Sequence, residues 1–166
     1  LIATGHSIAW GSPKALKIWI NSFIKKDPVF RMKFQTNPQF LRWGLRFLSQ
    51  CTNSKAKVNS LSKHRLSAYS QKILNQVFEE TEIQYERNTN GLIYLYRNPK
   101  KLAAGFKNLQ ILKDAGQKLE IFDKKQTIEI MPELENSQDI IAGGIFSPTD
   151  ESGNSRRFSE KLMEIC

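Results

Sequence analysis

The sequence has few of the residues from which metal and disulfide sites are built. It contains two cysteines, Cys51 and Cys166, and two histidines, His6 and His64. Cysteines this far apart form neither a disulfide framework nor a metal-ligand pair, and the histidines lack the helical spacing of a zinc site. We therefore expect no bound metal, and we interpret the cysteine usage as that of a reducing, cytoplasmic setting.

Patterns for phosphate binding and membrane crossing are missing as well. Gly143 and Gly144 lie inside a strand pattern, so the sequence contains neither a dinucleotide-binding fingerprint nor a P-loop. No apolar run approaches the ~18 residues of a spanning helix. The chain opens on Leu1, without an initiator Met, a basic segment or an apolar segment. We therefore expect no signal peptide, and we interpret the chain as an internal piece of a longer protein.

Positive charge is abundant, and it is unevenly spread. Residues 1–78 hold 13 Lys or Arg against one acidic residue, Asp27, whereas residues 79–166 hold 12 against 15. Such a basic half is typical of proteins that bind nucleic acid, an anionic membrane or an acidic ligand, and it is equally typical of solvated helix faces. Composition leaves these alternatives open.

Capping residues, prolines and apolar spacing predict most of the helices. Predicted helices lie at about 13–26, 38–50, 54–80, 99–115 and 123–132, and another begins near 154. Asn53 is the expected cap of the helix at 54–80, and Gly116 the expected end of the helix at 99–115. The expected apolar face of the helix at 54–80 consists of Val58, Leu61, Leu66, Tyr69, Ile73, Leu74, Val77 and Phe78.

The strands are shorter and fewer. Residues 83–85 and 92–96, joined through Asn90-Gly91, predict a β-hairpin, because Asn-Gly suits the positive backbone angles of such turns. Further strands are predicted at 119–122 and 140–146, and an extended stretch at 29–34. Helices followed by strands and helices in this mixture predict an α+β fold.

Several segments resemble, in order and at similar spacing, bacterial D-amino-acid dehydrogenase small subunits. These are FAD-dependent oxidoreductases of the family that includes D-amino-acid oxidase and glycine oxidase. Each segment alone is weak, but the series covers nearly the whole chain. The matching segments are 40–48 (FLRWGLRFL) with Cys51-Thr52, Tyr69-Ser70, 83–85, 91–96, Glu129 with 132–134, Gly143-Gly144, Pro148, 150–153 (DESG) and Phe158.

The resemblance implies a two-domain protein, of which this chain carries mainly the substrate domain, an antiparallel sheet with flanking helices. The Gly-rich FAD-binding βαβ unit is then missing because it precedes Leu1. Residues 1–11 would form a flavin-side loop, residues 12–146 a substrate-domain segment, and residues 147–166 a return loop and the start of a helix toward the FAD-binding domain.

The same resemblance implies a cofactor-binding stretch, Ala3, Thr4, Gly5, His6 and Ser7. Small residues there suit a backbone that approaches a planar ring closely. Thr4 is a departure, since the family usually has Asn at that place. Tyr94 and Tyr96 are expected to pack in the sheet rather than line a cavity, and Asp150 to cap a turn rather than act in catalysis. No catalytic residue is assigned.

The implied function is oxidation of a D-amino acid, or a similar small amine, to the imino acid by hydride transfer to FAD. The chain by itself is expected to be inactive. The basic helix at 13–26 fits either packing of its apolar stripe on the protein's own core or attachment to the anionic inner face of the cell membrane, where a quinone would accept electrons. The alternative function is a basic nucleic-acid-binding module; against it, the aromatic residues fall on apolar helix stripes, so we expect no nucleic-acid partner.

Overall fold

The computed structural model describes residues 3–16, 18 and 36–166. The chain divides into two compact units, residues 8–63 and residues 1–7 with 64–166. Of the predicted helix at 13–26, residues 13–16 and 18 are helical. The rest of that helix and the predicted extended stretch at 29–34 lie outside the described residues.

Helix α1, Pro38–Gln50, confirms the helix predicted at 38–50. The Asn37 side chain accepts a hydrogen bond from the Gln39 amide at 2.8 Å, which satisfies one of the free N–H groups at the helix start. Gly44 is buried, whereas Leu41 and Leu45, on the same apolar side of the helix, are 45% and 70% exposed. The apolar stripe of α1 is therefore buried over only part of its width.

Helix α2, Asn53–Thr81, is the long helix predicted at 54–80, but its cap and its buried face differ from the prediction. Asn53 is already helical, and the Lys55 amide donates to the hydroxyl of Thr52 instead. Val58 and Leu66 are 59% and 64% exposed, so the single apolar face is wrong. The buried side includes Ser60, since its hydroxyl donates to a helix carbonyl and also accepts from the Ala9 amide at 2.9 Å.

The sheet has three strands, β1 Leu92–Tyr96, β2 Glu120–Phe122 and β3 Gly143–Ser147. The strand order is β1-β3-β2, and both pairings are antiparallel. Ile145 of the central strand is fully buried. Helix α3, Pro99–Asp114, packs on the sheet, where Gly105 contacts the ring of Tyr96. An α+β fold with a small antiparallel sheet is confirmed.

The predicted hairpin is wrong. β1 pairs with β3, and residues 83–85 form no strand. Tyr85 is instead buried, and its carbonyl accepts a hydrogen bond from the Asn154 amide at 2.7 Å. Gly91 does adopt a positive φ of 83°, but a Cβ there would also lie 2.8 Å from the Phe146 ring. The glycine therefore serves the contact with β3 rather than a two-residue hairpin turn.

The remaining helices largely follow the predictions. Gly116, with φ at 95°, ends α3. Helix α4, Lys124–Ile130, opens with a capping box at Asp123, and helix α5, Ser155–Ile165, opens at Asn154. The 3-10 helix Pro132–Ile140 was not predicted, because it lacks the apolar spacing of an α-helix.

Candidate functional site

The predicted cofactor-binding residues form a closed turn, which we name the 3–7 turn after its residue range. Thr4–His6 is a single 3-10 turn, in which the His6 amide donates to the Ala3 carbonyl at 3.0 Å. The Ser7 hydroxyl donates to the Thr4 carbonyl at 2.7 Å. Thr4, Gly5 and Ser7 are buried, Ala3 is half-buried and His6 is exposed. Two of the five predicted residues therefore reach the surface.

Asp150 holds the 3–7 turn in place. Its carboxylate is fully buried. Oδ1 accepts hydrogen bonds from the Thr4 hydroxyl at 3.0 Å and from the Gly5 amide at 2.9 Å, and Oδ2 accepts one from the Tyr94 hydroxyl at 2.7 Å. Asp150 was expected to cap a turn in its own loop, and this is wrong, because its oxygens bind Thr4, Gly5 and Tyr94. The side chain instead joins the first residues of the chain to β1.

Gly5 is confined by the same contacts. A Cβ at this position would lie 2.8 Å from the Ser147 hydroxyl and 2.9 Å from Oδ2 of Asp150, closer than real side-chain contacts allow. Glycine is thus required here by packing against the end of β3, in addition to any approach of a ligand to the backbone.

Tyr94 connects the turn to the sheet. Its ring lies against the His6 ring, with centroids 5.7 Å apart and planes 23° from parallel. Burial, and then the hydrogen bond to Asp150, raise the pKa of the Tyr94 hydroxyl above its usual value, so the group stays a donor. Leu95, on the opposite face of the strand, is 44% exposed. Packing in the sheet, the role expected for Tyr94 and Tyr96, is confirmed.

Gln117 supports the segment that follows β3. Its side-chain amide donates to the Ser147 hydroxyl at 3.1 Å and to the Thr149 hydroxyl at 2.7 Å, and it is buried. Gln117 was not identified from the sequence, because a glutamine just after a helix end carries no local signal. The only hint is its position directly after Gly116, in a segment that must return to the sheet.

Glu151, next to Asp150, has a different set of partners. It pairs with Arg87 at 2.7 Å, with side chains only 5% and 18% exposed. The Gln71 side chain also donates to Glu151 at 3.1 Å. Arg87 lies over the Phe78 ring, 4.7 Å from its centroid. Two neighbouring carboxylates therefore act separately, one on the 3–7 turn and one on an arginine after α2.

A cavity of about 140 Å³ opens beside this ion pair. It is lined mainly by apolar atoms of side chains that include Leu74, Tyr85 and Phe158. Its volume is below the ~300 Å³ at which small-molecule pockets begin. The Tyr85 hydroxyl is buried without a hydrogen-bond partner. We do not assign the cavity as a substrate site.

The acidic residues near the end of α2 and the buried His64 are not gathered into a site. Glu79, Glu80, Glu82 and Glu86 are exposed at the end of α2 and after it. His64 is buried, 7% exposed. Among the residues that the structure describes, no cluster of His, Cys, Asp or Glu is suited to a metal ion. Within those same residues, no helix has the length and apolar character needed to cross a membrane.

A search of protein families matches residues 12–166 to the family described as FAD dependent oxidoreductase. The chain is 35% identical over 162 residues to "D-amino acid dehydrogenase 2" of Mesorhizobium japonicum, covering 98% of this chain and 39% of the relative. It is 33% identical to the "D-amino acid dehydrogenase" of Rhizorhabdus wittichii, covering 99% of this chain and 40% of the relative.

Among solved structures, the chain is similar to glycine oxidase from Geobacillus kaustophilus. The TM-score is 0.52 at 19% identity, over 60% of this chain and 27% of that one. At this identity the likeness concerns the fold alone. The family match and the two relatives favour the FAD-dependent oxidoreductase over the nucleic-acid-binding module, the two functions considered from the sequence.

Proposed function

Because the chain belongs to the family of FAD-dependent oxidoreductases, we propose that the full-length protein oxidises a D-amino acid, or a similar small amine, to the imino acid. The observation that carries the proposal is the identity of 35% to a D-amino acid dehydrogenase along 98% of this chain. The chain spans about two fifths of the length of the curated relatives that it matches.

We infer the place of the chain in the whole protein from the same family membership. We assign residues 12–146 to the substrate domain, residues 1–11 to a flavin-side loop, and residues 147–166 to the return toward the FAD-binding domain. The antiparallel sheet and its packed helix α3 support the first assignment. The hydrogen bonds from Thr4 and Gly5 to Asp150 support a common location for the other two.

The residues of the 3–7 turn fit the edge of the flavin ring of FAD, but they do not fit the pyrophosphate of FAD. Ala3 and His6 are the accessible members, while Thr4, Gly5 and Ser7 fix the turn from within. Ala3 offers a small side chain and His6 an aromatic ring, both suited to contact with a planar ring. The sequence holds no Gly-rich phosphate-binding motif, so the pyrophosphate must bind elsewhere in the full-length protein.

The task of these residues is to position the cofactor. When bound, FAD supplies a two-electron acceptor for the hydride that leaves the substrate Cα. The 3–7 turn holds one edge of the site at a fixed distance from β1, because Asp150 and Tyr94 restrain its backbone and its exposed ring. A fixed geometry shortens the search for a reactive alignment and so accelerates the transfer.

The test uses the purified full-length protein. We expect a flavin absorbance spectrum, release of FAD on denaturation, and reduction of an artificial electron acceptor with D-alanine or another small D-amino acid but not with its L-enantiomer. Protein that is kept denatured and mixed with FAD is the control, because any flavin it carries is not bound at a folded site. A full-length protein that retains no flavin, even after reconstitution, would contradict the proposal.

We further propose that the protein is cytoplasmic and lies peripherally on the inner face of the cell membrane, where a quinone accepts its electrons. The helix predicted at 13–26 first suggested this, and α1 adds support. Leu41, Trp43 and Leu45 of α1 are 45%, 49% and 70% exposed, and the adjacent Arg42 and Arg46 are exposed too. Apolar and basic side chains exposed along one helix suit an anionic bilayer surface.

Vesicle sedimentation separates charge from other causes of binding. We expect the full-length protein to sediment with vesicles that contain anionic lipid, and to be released by high salt. Replacing Arg42 and Arg46 by Gln is expected to weaken binding about tenfold, whereas replacing exposed Lys124 and Lys125 by Gln leaves it unchanged. Binding that ignores both lipid charge and salt would overturn this proposal without affecting the proposed reaction.

A further inference from the structure

Asp150 is a buried side chain to which both the 3–7 turn and β1 are hydrogen-bonded. It is fully buried, and its two oxygens accept three hydrogen bonds from Thr4, Gly5 and Tyr94. The three donors are uncharged. A buried carboxylate is costly unless hydrogen bonds replace its hydration, and charge-assisted bonds of this kind are stronger than neutral ones. One buried side chain therefore supplies charge-assisted hydrogen bonds to both the 3–7 turn and β1.

These contacts fix two features of the turn at once. Oδ1 binds the backbone at Gly5 and the side chain at Thr4, which sets the height of the turn above the sheet. Oδ2 binds Tyr94, whose ring stacks on His6. Through these bonds one side chain determines both the backbone position of the turn and the orientation of the aromatic ring that it exposes.

We propose that Asp150 is a positioning residue for the flavin: it orients the 3–7 turn, and through Tyr94 the His6 ring, against the edge of the bound cofactor. The inference rests on the proposed function, because it presumes that the turn contacts flavin. The proposed role requires no contact between Asp150 and the substrate or the cofactor. Its effect reaches the reaction through the turn.

The neighbouring carboxylate provides a matched control. Glu151 is also buried, at 4% exposure, but it binds Arg87 and Gln71 rather than the 3–7 turn. A general loss of packing or of buried charge is expected in both Asp150→Asn and Glu151→Gln. A change in the flavin environment is expected only in variants that touch the turn.

The experiment compares four variants of the full-length FAD-bound protein: Asp150→Ala, Asp150→Asn, Tyr94→Phe and Glu151→Gln. We expect Asp150→Ala to weaken flavin retention tenfold or more. Asp150→Asn keeps an oxygen for Thr4 and Gly5, so retention is expected to recover to within about threefold of the parent. Tyr94→Phe is expected to shift the visible flavin spectrum and to lower kcat several-fold with KM within twofold. Glu151→Gln is expected to lower the melting temperature and leave the spectrum unchanged.

The readouts also distinguish failure of the inference from failure of the proposed function. A parent protein that binds no FAD contradicts the proposed function. A parent protein that binds FAD, with flavin retention in Asp150→Ala and the spectrum and kcat of Tyr94→Phe as little changed as in Glu151→Gln, overturns the role of Asp150 alone. Should Asp150→Ala fail to fold, Tyr94→Phe still decides, because it removes one hydrogen bond to Asp150 and retains the ring of the parent side chain.

Discussion

At Gly5, the backbone of the 3–7 turn passes so close to Ser147 and Asp150 that no side chain fits between them. Gly5→Val should therefore displace the turn, and in the full-length protein we expect at least tenfold weaker flavin binding. Gly11→Ala is the control, because a Cβ there would meet Gln50 at ordinary contact distance, 3.6 Å. Flavin titration followed by fluorescence quenching measures both.

His64→Ala is a second comparison, since His64 is buried outside the 3–7 turn. It is expected to lower stability without a comparable loss of flavin. Equal flavin retention in Gly5→Val and His64→Ala would count against the assignment of the flavin-side loop.

The Tyr94 hydroxyl predicts a pH dependence. Burial raises its pKa, so the folded protein holds this proton more tightly than the unfolded chain does. The resulting stabilisation is complete below about pH 10 and is lost as the pH rises above that value. Tyr94→Phe should flatten the decline in stability between about pH 10 and pH 12 in urea denaturation. Tyr69→Phe, at a side chain 63% exposed, should leave the decline as steep as in the parent.

Between elements, the Arg87–Glu151 pair ties the segment after α2 to the loop that precedes α5. Arg87→Ala leaves Glu151 buried without its cation, and we expect a loss of about 3–5 kcal/mol in the free energy of unfolding. Arg156→Ala is the control, because Arg156 pairs with Glu160 on an exposed face, and its loss should cost about 0–1 kcal/mol. Similar losses in the free energy of unfolding for the two variants, measured by chemical denaturation, would contradict the expectation that the buried pair stabilises the fold more than the exposed pair.

The sheet depends on its central strand. Ile145 of β3 is fully buried, whereas Ile121, its partner on the edge strand β2, is 45% exposed. Ile145→Ala should lower the free energy of unfolding by about 2–5 kcal/mol, since it leaves a cavity between the sheet and its helix. Ile121→Ala should cost less than about 1 kcal/mol. The reverse order of the two values would show that the strand order is misassigned.

Element by element, the sequence predicted best where the cause is local. The Asn98 side chain caps α3 by accepting from the amides of Lys100 and Lys101, and this chemistry is complete within four residues. The hairpin failed because the Asn-Gly signal is also local, whereas the true partner of β1 lies about fifty residues farther along the chain. The predicted 3–7 site was placed by resemblance alone. Its link to Asp150 has no local signature, because it spans 145 residues.

At the scale of the whole molecule, several large apolar side chains of α1 and α2 are exposed. Leu45, Val58 and Leu66 are each more than half exposed. Such surface favours aggregation when no partner covers it. We expect the isolated chain of residues 1–166 to bind a hydrophobic dye, to unfold without a cooperative transition and to show no oxidase or dehydrogenase activity. A monomer with a sharp calorimetric transition would contradict this expectation.

The bond between Gly5 and Asp150 also sets an order in time. A growing chain lengthens by about 5–20 residues each second. The 3–7 turn is therefore synthesised roughly 7–30 seconds before Asp150, whose carboxylate binds it. Until then, the Thr4 hydroxyl and the Gly5 amide cannot donate to Asp150. The 3–7 turn therefore reaches its final contacts only after nearly all of this chain has been synthesised.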